Sequence, residues 1–140
     1  MTTTATIKEE FVLDCAPDVA FKAWLDSKSH GEMLASPGEA SIDGKVGGTF
    51  SIWDGAITGK TLEIDDENLR IVQDWRYDYD DWSKDAPSKL SITFAPHENE
   101  KTLVQVLHTD LPENHVKELT EGWNQYYWAP MKEYFSKNES

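Results

Sequence analysis

The chain has 140 residues, and its 26 acidic against 13 basic side chains leave a formal charge of −13 at neutral pH. That balance argues against nucleic acid or an anionic membrane as a partner, because both would repel it, and it favours solubility. The length suits one domain with its own core, the single cysteine Cys15 excludes an internal disulfide framework, and no apolar stretch approaches membrane-spanning length. Met1 to Thr6 lacks a charged segment followed by an apolar run, so no signal peptide is read and a cytoplasmic location is expected.

Taken in order, Thr6 to Leu13 alternates with Ile7, Glu9, Phe11 and Leu13 on one side, the pattern of an edge strand. Ala16-Pro17-Asp18 opens a helix carrying Val19, Phe21, Ala23, Trp24 and Leu25. Ser27 is placed to cap a second short helix through Met33 and Leu34, weakened by Gly31 and ended by Ser36-Pro37-Gly38. Short apolar runs between turn residues come next: Ser41 to Asp43, then Thr49 to Trp53 with Phe50 and Ile52 on one face. Asp54-Gly55 signals a tight turn. In Ile57 to Ile64 the apolar parity slips, which predicts a bulge near Gly59. Arg70 to Tyr77 alternates Ile71, Gln73, Trp75 and Tyr77 against Val72, Asp74 and Arg76. Leu90, Ile92 and Phe94 mark another strand, and Thr102 to His108 the last.

Pro112 to Lys137 reads as one amphipathic helix, about 36 Å long from Glu113 to Ser136. Val116, Leu119, Trp123, Tyr127, Met131 and Tyr134 recur every three or four residues on one face, with Glu118, Glu121, Gln125 and Lys132 opposite. Asp110 with Glu113 has the spacing of a capping box. Pro130 falls inside the pattern and should kink the helix near Tyr126. One strand, two helices, about six more strands and a long helix make an α+β domain, in which a curved antiparallel sheet grips the C-terminal helix.

Several motifs are weighed and set aside. Gly59-Lys60-Thr61 resembles the end of a phosphate-binding loop, but Asp54 stands where that loop needs glycine, and Leu62-Glu63-Ile64 reads as strand where the loop needs a helix. Asp78-Tyr79-Asp80-Asp81 lacks the ligand alternation of a calcium loop and reads as a solvated turn. The histidines at 30, 97, 108 and 115 show no metal-ligand spacing, and neither a cofactor signature nor a nucleophile–base–orienter set is found. His108 alone falls inside a predicted strand, where it serves either as a hydrogen-bonded structural residue or as a polar group facing a cavity. The six tryptophans either fill the space between sheet and helix or line a pocket there.

Gly47-Gly48-Thr49-Phe50-Ser51, Asp54-Gly55 with Gly59, Ile71-Val72-Gln73-Asp74-Trp75-Arg76, His108-Thr109-Asp110-Leu111-Pro112 and Gly122-Trp123-Asn124-Gln125-Tyr126-Tyr127-Trp128 form an ordered series from about Phe11 to Phe135. That series resembles the C-terminal domain of the activator of 90-kDa heat-shock-protein ATPase. The resemblance implies the helix-grip fold of START domains and the birch-pollen allergen, the SRPBCC superfamily. The chain starts at the first strand, so the separate N-terminal domain of eukaryotic co-chaperones is expected to be missing.

The expected function is a non-enzymatic binding module that encloses a small apolar or aromatic ligand between sheet and C-terminal helix. Its expected lining is Phe50, Ile52, Trp75, Ile92, Trp123, Tyr127 and Met131. Arg76 and His108 are the candidate polar handles, although alternation sets Arg76 opposite Trp75, which counts against one of the two. The alternative, implied by the resemblance, is a co-chaperone-type protein that binds a 90-kDa heat-shock chaperone. A third is a cyclase- or hydrolase-like enzyme using the same cavity.

Overall fold

The computed structural model describes residues 4–33, 40–53, 55–83 and 85–137. Strand β1 (Thr4–Leu13) leads into helices α1 (Pro17–Leu25) and α2 (Ser27–Glu32). Strands β2 (Ala40–Ile42), β3 (Thr49–Ile52), β4 (Ile57–Asp65), β5 (Arg70–Tyr77), β6 (Ser88–His97) and β7 (Lys101–Pro112) come after them. Among the described residues these form one sheet in the order β1-β7-β6-β5-β4-β3-β2, every pairing antiparallel. The meander therefore returns β7 to the first strand, and β1 stands at an edge.

Alternation decides which side faces inward. Ile71, Leu90, Ile92, Phe94 and Val104 are fully buried, and Phe21 and Trp24 of α1 pack into the same core. Val19, on the same helix, is 47% exposed. Helix α2 is capped by Asp26, whose carboxylate accepts from the Ser29 backbone N–H at 2.9 Å. The Ser27 hydroxyl instead bonds both backbone groups of Ile42, tying α2 to β2. The expected end of that helix at Leu34 to Gly38, and Asp54 of the expected turn, lie outside the described residues.

Gly59-Lys60-Thr61 lies within β4, as strand rather than phosphate-binding loop. The bulge in β4 falls at Leu62, between the Thr61 and Glu63 pairings, not at Gly59. An extra residue there turns Leu62 out to solvent, and it is 43% exposed. Gly59 has a different reason to be glycine: a Cβ would run onto the Asp74 carbonyl oxygen and into the Phe50 ring.

The C-terminal helix departs most from expectation. A single turn, Glu113–His115, precedes α3 (Val116–Gly122), a π-helical stretch (Trp123–Trp128) and α4 (Ala129–Lys137). No side chain caps the start, because β7 runs on to Pro112 and occupies the region where Asp110 was expected to act as cap. Pro130 has no N–H, and in a regular helix its ring would press on the carbonyl four residues back, that of Tyr126. Widening the turn to five residues relieves this, and the Ala129 N–H bonds the Asn124 carbonyl. The extra residue rotates everything after it. Tyr127 and Trp128 are both buried although adjacent, and Phe135 rather than Tyr134 continues the buried stripe.

Gly59→Ala should lower the unfolding free energy by about 1–3 kcal/mol, the cost of forcing volume into a packed site. Urea titration measures it, and an unchanged midpoint would show that β4 and β5 part there without strain.

Candidate functional site

The π turn brings aromatic side chains to both ends of the gap between sheet and helix, and the two ends differ. At one end the rings pack solid. Trp128 is 1% exposed, lies against Phe11 with centroids 4.8 Å apart, and stacks on Trp123 at 4.7 Å and 4°. A five-residue spacing superposes two rings only where the helix is wound this loosely. The Trp128 indole nitrogen and Glu9 Oε1 are buried without a well-aligned hydrogen-bond partner among the described residues. Burial holds the Glu9 carboxyl above its ordinary value, against the opposing pull of Trp128 and Lys132.

At the other end a cleft of about 500 Å³ opens beside β5, a size suited to a small molecule. Trp75, Leu119, Trp123 and Tyr127 form its inner wall. Gly122 belongs to the same wall, and a Cβ there would meet only the edge of Tyr126 at 4.0 Å. A mid-helix glycine costs helical stability, and here it leaves room in the cleft. Trp53, Tyr79, Tyr126 and Glu118 stand around the mouth. Trp53 holds φ at 52°, a left-handed conformation uncommon for a bulky residue, and meets Tyr126 and Tyr127 edge-on at 5.9 and 6.0 Å.

Two buried histidines fix the inner wall. The Trp123 indole donates to His108 Nδ1 at 3.1 Å, so that nitrogen accepts and the proton sits on Nε2. His108 Nε2–H then donates to Ser88 Oγ at 2.6 Å, and the Ser88 hydroxyl donates to the Trp75 carbonyl at 2.6 Å. One chain of bonds thereby ties the Trp123 indole to the backbone of Trp75, and the His108 ring packs edge-on against the Trp75 indole at 4.9 Å. Burial draws His108 down to about 3, which keeps it neutral. His30 uses the opposite tautomer: Nδ1–H donates to the Trp24 carbonyl at 2.8 Å and Nε2 accepts from the Tyr127 hydroxyl at 2.8 Å. Desolvation lowers His30 to about 4 and raises Tyr127 above its ordinary range. The Trp24 indole continues inward through Gln73 to Thr61.

Of the residues expected to line a cavity, Trp75, Trp123 and Tyr127 stand together on the cleft wall. Ile52, Ile92 and Met131 are buried in the core, and Phe50 covers Gly59. His108 lies behind the wall, 0% exposed. Arg76 takes the other face of β5, where it donates to the carbonyls of Trp82 and Tyr79 at 2.8 and 3.1 Å. It holds the turn that carries Tyr79 to the mouth. Tyr79 stacks on His115 at 3.8 Å and donates to Glu118 at 3.3 Å. Burial and the Glu118 carboxylate push the phenol up to about 12. Trp53, Tyr79, Glu118 and Gly122 were not foreseen. They come from turns and from the outer side of the helix pattern, where periodicity carries no signal; a glycine in mid-helix was the available clue.

A curved antiparallel sheet closed by a C-terminal helix over an aromatic cleft defines a helix-grip domain. The family model described as "Activator of Hsp90 ATPase homolog 1-like protein" matches residues 14–136, and the chain belongs to that family. The activator of 90 kDa heat shock protein ATPase homolog of Dictyostelium discoideum is 31% identical over 137 residues. The match takes in 96% of this chain and 33% of that protein, so the chain spans about a third of its relative. An HSP90 activator from Plasmodium falciparum has the same fold, with a TM-score of 0.75 and 26% identity over 89% of each chain. Ara h 8.0201 shares the fold alone, with a TM-score of 0.69 and 14% identity over 97% of this chain and all of its own. No helix among the described residues is long and apolar enough to cross a membrane.

The two histidines make stability depend on pH. Both titrate lower in the fold than the ordinary value near 6.5, so between those values the unfolded chain binds protons that the folded chain refuses. Stability should therefore fall as pH drops from about 7 to about 5, each histidine adding up to about 1.4 kcal/mol per pH unit. Urea midpoints across that window measure the slope. His108→Gln should flatten it, and an equal slope in the variant would remove His108 as its source.

Proposed function

We propose that this domain is a non-catalytic, co-chaperone-type interaction module acting on a 90-kDa heat-shock chaperone. The observation that carries this reading is the family match across residues 14–136, supported by relatives whose own names describe activators of that chaperone. The buried histidines favour a non-catalytic role, since all four of their ring nitrogens are occupied by structural hydrogen bonds. Capture of a purified 90-kDa chaperone by the chain, with faster ATP turnover when the chain is added, is the expected result. A chaperone that is neither captured nor accelerated would refute it.

The cleft favours a second reading, in which Trp75, Trp123 and Tyr127 enclose a small ligand with an apolar or aromatic body. A panel of lipids and aromatic metabolites, read by tryptophan fluorescence and thermal shift, should contain members that raise the melting temperature. Gly122→Leu should abolish that rise while remaining folded, because the new side chain enters open cleft rather than packed core. A screen that is silent for the unaltered chain would end this reading and leave the chaperone reading untouched.

A further inference from the structure

We infer that the cleft takes an organic cation, an ammonium group carried on an apolar or aromatic body of small-molecule size, an inference that rests on the cleft being a ligand site. Among the described residues that line the cleft, Glu118 is the one charged side chain, and it stands at the mouth with three aromatic residues. The faces of tryptophan and tyrosine attract a cation through the ring quadrupole. Trp53, Tyr79 and Tyr126 supply those rings, while Trp75, Trp123 and Leu119 supply an apolar inner wall. The ligand therefore has two ends, apolar inside and positive outside.

Charge decides between ligand classes. Glu118 is 63% exposed, so in the empty cleft water solvates it. A neutral apolar ligand filling the mouth would strip that water and offer nothing in return, and a neutral donor would replace it only in part. An anion would add repulsion from Glu118 and from a chain whose formal charge is −13. A cation offsets the lost hydration by charge attraction as well as by contact with the rings. The carboxylate is also held in place, because Oε2 accepts from the Tyr79 hydroxyl at 3.3 Å. Tyr79 is in turn fixed by its stack on His115, whose Nε2 donates to Asp81 at 2.7 Å. The ring and the carboxylate that would share the cation are thus positioned before it arrives.

The test compares three probes on the full chain: benzyltrimethylammonium, its neutral carbon isostere neopentylbenzene, and benzenesulfonate. Binding is followed by quenching of tryptophan fluorescence and by shifts of the indole N–H signals of Trp53 and Trp123. The cation should bind about tenfold more tightly than the neutral isostere, and benzenesulfonate more weakly than either. Glu118→Gln should reduce the preference for the cation by about threefold and leave the isostere unaffected, while Glu98→Gln, in the connection between β6 and β7, should change neither. Equal binding of cation and isostere, or a preference untouched by Glu118→Gln, would overturn the inference and leave the ligand reading standing. If none of the three probes binds, the inference falls, while the ligand reading is decided by the wider panel of lipids and aromatic metabolites.

Discussion

The interaction on which the rest depends is the stack of Trp123 on Trp128 across the π turn. In an ordinary helix, residues five apart diverge by more than a third of a turn and their rings cannot superpose. Here they lie 4.7 Å apart and nearly parallel, because Pro130 makes the regular turn unfavourable and the wider turn available. One consequence is a change of phase. The helix before the turn presents Leu119 and Trp123 to the sheet, and the helix after it presents Met131 and Phe135. Another is that two adjacent large rings, Tyr127 and Trp128, are both buried.

Those adjacent residues divide the interior. Trp128 goes to the closed end with Phe11 and Trp24. Tyr127 faces the open end, with its hydroxyl anchored to His30. The closed end is held by packing, where a lost ring leaves a cavity costing several kcal/mol. At the open end the wall is held by directional bonds instead: Trp123 to His108, His108 to Ser88, and Ser88 to the strand carrying Trp75. His108 fills the space behind this wall as well as bonding to it. The Trp123 indole is fixed from its buried side by His108, and both tryptophans line the cleft.

The sheet was largely legible because its signals are local. Turn residues separate the runs, and alternation assigns Ile71, Trp75, Leu90, Ile92 and Phe94 to the inner face. The same two periodicities found Trp75, Trp123 and Tyr127, which share the cleft. The misses have physical reasons. A stripe drawn at 3.6 residues per turn cannot anticipate a turn of a different pitch, so Trp128 and Phe135 were missed and Tyr134 was included. Asp26 and Ser27 are both good caps, and only the position of Ile42 decides that Ser27 is used elsewhere. The bulge at Leu62 depends on the pairing of β4 with β5, which parity alone locates loosely. Around the mouth, Trp53, Tyr79 and Glu118 are gathered from three separate segments, and their proximity is a property of the fold.

The contrast between inner wall and mouth carries a last point about motion. Hydrogen bonds buried beneath Trp75 and Trp123 cannot open without exposing unpaired polar groups to an apolar interior, which is costly. Contacts at the rim open toward water instead. Tyr126 is 41% exposed and meets Trp53 edge-on, a contact worth about 1 kcal/mol and little above thermal energy. Trp53 also sits in a left-handed backbone conformation, which for a bulky residue carries strain of about 1–3 kcal/mol. The fold thus joins a wall tied by buried hydrogen bonds to a rim whose contacts lie at the surface.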